Sequence, residues 1–183
     1  LRQMTGDAEF NEVFLDEVRL PLDAQLGAAG AGWHVATTTL MNERVAIGDA
    51  MTTMASPAAT AVRIFRERRD RDPAMRDRVA RMWIESEVAR MVTLRSAQLG
   101  MTGDPRPVGS IGKLLAAEHA LRVHSLIVDL LGPEGMLYPG YGDAAAPRET
   151  APPRHDRRVA FLRSRANTIE GGTSEVMRNI LGE

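Results

Sequence analysis

The sequence predicts a mainly α-helical chain, an antiparallel four-helix bundle preceded by a short β segment. Three observations predict it. Ala, Leu, Val, Met and Arg dominate a chain of 183 residues in which only 4% are aromatic, a helical rather than a sheet composition. Apolar residues recur at helical spacing through long runs. Alternation of the kind that marks a strand is confined to the first twenty residues. With 44% apolar and 26% charged residues, the chain has the makings of a core and is not a disordered tail.

Each element follows in order. Glu9 to Leu15 (EFNEVFL) alternates, with Phe10, Val13 and Leu15 apolar, and Val18 to Pro21 ends on a proline, so one or two short extended segments are expected here. Leu26 to Gly32 carries three glycines and marks the main boundary. From Trp33 to about Arg69 a helical stripe runs through Val35, Leu40, Val45, Ile47, Met51, Met54, Ala58, Val62 and Phe65; Pro57 kinks or splits it. The polar run Arg66 to Pro73 is a connector, and Pro73 suits the first position of a second helix over Ala74 to about Leu99. After the turn Gly100 to Pro107, a third helix runs from Val108 or Ser110 to Leu131, where Gly132 and Pro133 stop it. Tyr138 to His155 is a loop rich in Pro, Gly and Ala. Arg157 to Ala166 reads as a short helix, Gly171 to Thr173 as a turn, and Thr173 or Ser174 as the cap of a last helix reaching Ile180. Long antiparallel helices joined by short loops make a bundle.

Composition excludes several functions. Twenty-three basic residues against twenty-four acidic leave a net charge of -1, with no global field for nucleic acid or an anionic membrane. The absence of cysteine removes disulfides, thiolate nucleophiles and Cys-based zinc sites and makes the cytoplasm the expected compartment. No apolar run approaches the ~20 residues that span a bilayer, and the N-terminus lacks a signal-peptide pattern. The chain opens on Leu1 inside an extended segment, which reads as a piece of a longer protein. His34, His119, His124 and His155 have no metal-ligand spacing. The methionines, Met41, Met51 and Met54 among them, fall at helical spacing and read as core filler. No glycine-rich phosphate loop follows a strand. Lys113, the one lysine among the basic residues, reads as a codon bias.

Four blocks together carry a resemblance. Glu9 to Pro21 (EFNEVFLDEVRLP), Gly32-Trp33, Thr39 to Arg44 (TLMNER) and Ser164 to Ile180 (SRANTIEGGTSEVMRNI) occur in an order that resembles the carboxy-terminal half of an acyl-CoA dehydrogenase. The last block is the specific one. The resemblance covers almost the whole chain and implies the end of a β-domain and connector over 1–30 and a carboxy-terminal helical bundle domain over 31–183. It implies FAD as prosthetic group, an acyl-CoA substrate, electron-transfer flavoprotein or a similar acceptor as partner, and a homodimer or homotetramer.

The family's reaction is an α,β-dehydrogenation needing one carboxylate within reach of the substrate α-carbon. Many members carry it directly before the Gly-Thr-Ser of the last block, where this chain has Gly171. A minority carry it in a Glu-Arg pair on the long helix, which matches Glu43 and Arg44. The resemblance therefore assigns Glu43 as base, with Arg44, Gly171 and Gly172 facing the substrate and Glu170 a weaker alternative base. On spacing alone, a Glu-Arg pair on a solvated helix face is the favoured reading of Glu43 and Arg44, and it is the resemblance that reverses this. For the flavin, the resemblance assigns Asp129 and Gly132 in DLLGP, where the family has Gln-x-x-Gly-Gly, then Arg68 or Arg69, and then Thr173, Ser174 and Glu175. Asp replaces Gln, Pro133 lacks an N–H donor, and the Phe-Gly and Gln that accompany the family's arginine are missing. Two departures of this kind leave open an alternative, a degenerate non-catalytic subunit or partner-binding bundle of the same family.

Overall fold

The computed structural model describes residues 1–40, 56–70, 72–101, 108–137 and 156–182. Its helices are α1 over residues 32–40, α2 Pro57–Glu67, α3 Pro73–Met101, α4 Val108–Leu131, α5 Arg157–Arg163 and α6 Ser174–Gly182. Short 3-10 helices follow α4 at Gly132–Met136 and α5 at Ser164–Thr168.

The expected β segment is absent from the described residues. Residues 1–31 contain no strand, only a 3-10 turn at Leu22–Ala24. A strand exists only through the backbone bonds of a neighbour, and none lies alongside among the described residues. Phe10, Val13, Phe14 and Leu15 are accordingly exposed, between 54% and 85%. In α1, Thr37, Thr38 and Thr39 bond their hydroxyls back to the carbonyls of Trp33, His34 and Val35.

After α1, the next described helix begins at Pro57. Ser56 has φ -53 and ψ 121, a non-helical residue, so the proline opens α2 as its first residue instead of kinking a continuous helix. Pro73 likewise opens α3. The α3 and α4 helices are antiparallel: Arg78 pairs with Asp129 and Glu85 with Arg122, so seven residues forward on α3 are seven residues back on α4. The core joins Ala58, Ala61 and Ile64 of α2 and Val79 of α3 to Val123, Leu126, Ile127 and Leu130 of α4. Leu126 and Ile127 are each 2% exposed, and truncation of either to alanine removes about 2–5 kcal/mol.

Packed against α2, α3, α5, α6 and both trailing 3-10 helices, α4 is the hub. That explains its apolar character, since a helix surrounded by others has little face left for water. Gly132, at φ 62, ends it in the left-handed conformation. Arg68 then donates to the Leu130 carbonyl at 2.6 Å while its other nitrogens clasp Asp70, satisfying one of the open carbonyls of the α4 terminus.

One apolar stripe stays uncovered. Trp83, Ile84, Val88, Met91 and Leu94 of α3 are 43–61% exposed and fall within an arc of about 140° at 100° per residue.

Candidate functional site

A cleft of about 420 Å³ opens between α4, the 3-10 helix after α5 and the start of α6. Its walls include Glu118 and Arg122 of α4, Thr168, and Thr173, Ser174, Glu175 and Arg178. The local sequence builds it. Gly171 and Gly172 take φ 66 and 103, a left-handed pair that reverses the chain at no side-chain cost. Thr173 then caps α6, its hydroxyl accepting from the Val176 N–H at 3.3 Å. Ser174 is buried at 6% exposure, and its Oγ has no partner among the described residues.

The electrostatics of this end of the bundle are paired. Glu118 accepts from Arg178 and lies 3.9 Å from Arg122. Arg122 donates through Nε and Nη2 to one oxygen of Glu85 at 3.1 and 2.9 Å, and His119 Nδ1 lies 3.4 Å from the same oxygen. Burial pushes the Glu85 carboxyl up, but the bonds from Arg122 and His119 outweigh it and hold it below its ordinary value. Glu175 is held below the usual carboxylate range by its own backbone N–H and by the Thr173 hydroxyl. Beneath, burial drives His124 down to about 4, aided by the charges of Arg165 and His119. Burial lowers His119 too, against the pull of Glu85.

The described residues singled out from sequence fall into two groups along α4, one against its middle turns and one at its C-terminal end. Gly171, Gly172, Thr173, Ser174 and Glu175 gather at the cleft. Arg68, Asp129 and Gly132 gather at the C-terminal end, where Asp129 is paired with Arg78 and Arg68 with Asp70 and Leu130; Arg69 is exposed beside them. From Glu118 to Leu130 the helix rises about 18 Å. Glu43 and Arg44 lie outside the described residues. Glu170 is engaged by Arg163 at 2.8 Å. Sequence reasoning missed Glu118, Arg122 and Arg178, which pair across elements as Arg178 with Glu118 and Arg122 with Glu85, and undervalued Lys113, which is buried at 4% and donates to the Gly172 carbonyl.

Among the described residues no group of three His, Asp or Glu side chains is placed to hold a metal, and no helix is long and apolar enough to cross a membrane.

Comparison with known proteins gives a consistent result. Residues 30–183 match the sequence model for the acyl-CoA dehydrogenase C-terminal domain. The chain is 30% identical over its full length to Acyl-CoA dehydrogenase FadE34 of Mycobacterium tuberculosis, covering 23% of that protein. It is 33% identical over 99% of its length to Acyl-CoA dehydrogenase IpdE1 of the same organism, covering 44%. The chain thus spans less than half the length of these curated relatives. Among solved structures, the Tcur3481-Tcur3483 steroid ACAD G363A variant superposes with TM-score 0.70 at 22% identity, over 92% of this chain and 43% of that one. Helical architecture, the capped two-glycine turn and a family match across most of its length converge: this chain belongs to the acyl-CoA dehydrogenase C-terminal domain family.

Proposed function

We propose that this chain is the carboxy-terminal part of an FAD-dependent dehydrogenase that introduces an α,β double bond into an acyl-CoA thioester. The observation that carries the reading is the capped start of α6, where Thr173, Ser174 and Glu175 line a cleft and the Ser174 hydroxyl is buried without a partner among the described residues. A buried hydroxyl left open is unfavourable unless something else satisfies it, and a helix N-terminus favours an anionic ligand. These residues fit the oxygen-rich part of FAD. When bound, FAD supplies the acceptor for the hydride that leaves the substrate β-carbon. Glu43 takes the α-proton, and the electron pair of that C–H bond becomes the new double bond. Gly171 and Gly172 leave room beside the reacting carbons, and Arg44 accompanies Glu43. Electron-transfer flavoprotein or a similar acceptor reoxidises the enzyme, which works as a homodimer or homotetramer in the cytoplasm.

The C-terminal end of α4 favours a second reading. Asp129 is bound to Arg78, Arg68 is committed to Asp70 and the Leu130 carbonyl, and Pro133 offers no N–H. These groups, which the family resemblance turns toward flavin, are satisfied internally, as suits a non-catalytic subunit of the same family. The full-length protein decides between them. Bound flavin absorbance, with reduction of the flavin by one member of a panel of acyl-CoA thioesters, supports the enzyme. A folded full-length protein that stays colourless after reconstitution with FAD supports the subunit.

A further inference from the structure

Lys113 sits in the second turn of α4 and is almost wholly buried, with its ammonium donating to the carbonyl of Gly172. Burying an ammonium is unfavourable unless protein groups replace its water, and an apolar side chain at the same point packs without that penalty. The residue it reaches is unusual. Gly171 and Gly172 both lie at positive φ, and two consecutive glycines bring the largest backbone freedom a turn can have. Immediately beyond them Thr173 caps α6, and Ser174 stands at the cleft wall with its Oγ buried and open. Because the C=O and N–H of a trans peptide point in opposite directions, holding the Gly172 carbonyl also fixes the direction of the Thr173 amide.

We propose that Lys113 is a positioning residue for the cleft, anchoring the two-glycine turn through the Gly172 carbonyl so that Thr173, Ser174 and Glu175 are presented to the ligand in one arrangement. The identity of that ligand as FAD rests on the reading above; the tether does not.

The test uses full-length protein, wild type and the variants Lys113→Met and Lys113→Arg, with FAD as probe and amide hydrogen exchange of the apo form as a second readout. Lys113→Met is expected to speed exchange at residues 173–176 by about tenfold or more while the amides of Val79 and Leu126 keep their wild-type rates. It also weakens FAD by about tenfold or more and shifts the visible band of any flavin that remains bound. Lys113→Arg, which keeps a cationic donor, recovers most of both effects. Unchanged exchange at residues 173–176 overturns the proposal. So does a uniform rise that includes Val79 and Leu126, since Lys113 then supports the whole fold. Local loosening with wild-type FAD affinity and spectrum overturns the positioning role. A wild-type protein that binds no FAD refutes the flavin reading instead, and the exchange rates at residues 173–176 then judge the tether alone.

Discussion

Arg163 and Glu170 face each other across the 3-10 helix Ser164–Thr168, with Arg163 Nη2 donating to Glu170 Oε2 at 2.8 Å. Glu170 is the acid adjacent to Gly171, yet its carboxylate is turned to a structural partner. In the full-length enzyme, Glu170→Gln is expected to keep turnover within a few-fold of wild type and to lose about 1 kcal/mol of stability. Glu43→Gln is expected to lower turnover by roughly 10²-fold or more with flavin content preserved. Steady-state kinetics on both variants check the assignment; the reverse order of effects moves the base to Glu170.

Acid is expected to weaken the fold through His124. Its ordinary value of 6.5 falls to about 4 in the folded chain, so between these values the unfolded chain binds more protons and stability rises with pH. The contribution is complete above pH 6.5 and is lost as pH falls toward 4, with a ceiling of about 3 kcal/mol. His119, lowered in the same direction, adds to the slope. Asp156, held at about 2 first of all by the Arg158 side chain against an ordinary 3.8, acts only below that window. Urea unfolding from pH 4 to pH 7 checks this, and His124→Leu should flatten the curve.

In the proposed reading, Gly171 stands where the commoner family base is carried. Glu43→Gly combined with Gly171→Glu is expected to raise turnover at least about tenfold over Glu43→Gly alone, with preference shifted toward straight-chain thioesters. The recovery stays partial, because φ 66 at Gly171 charges an L-residue about 1–2 kcal/mol of strain. A double variant as inactive as Glu43→Gly, while folded and flavin-loaded, shows that the two positions are not interchangeable.

The uncovered α3 stripe should mediate self-association. Sedimentation of the chain is expected to show dimers or larger species as concentration rises, and Ile84→Glu with Met91→Glu to shift it to monomer without loss of helical signal. A strictly monomeric wild type at high concentration contradicts this.

The helices were legible because their signals are local. Pro73, Gly132 with Pro133, and Thr173 set the boundaries of α3, α4 and α6 through backbone chemistry that needs no distant partner. The β segment is not shown among the described residues for the converse reason: alternation in residues 9–15 records which face a strand would bury, and a strand also needs a neighbour to bond it. Half of the cleft escaped notice likewise. Glu118 and Arg178 are sixty residues apart in the chain, and no spacing rule joins them. Lys113 did carry a signal, a cation on the same helical face as the buried Ala117 and Ala120 of α4, which the scarcity of lysine disguised as a compositional habit.

The hub helix also acts as a ruler. With α6 pinned at Glu118 and α3 pinned at Asp129, the rigid turns between these residues fix both the distance and the angle between the two ends of the bundle. One residue inserted near Val123 would advance everything beyond it by about 1.5 Å and swing it by 100°. Arg178 would keep its acid while Arg78 lost its own, and any molecule long enough to touch both ends would meet only one of them in register.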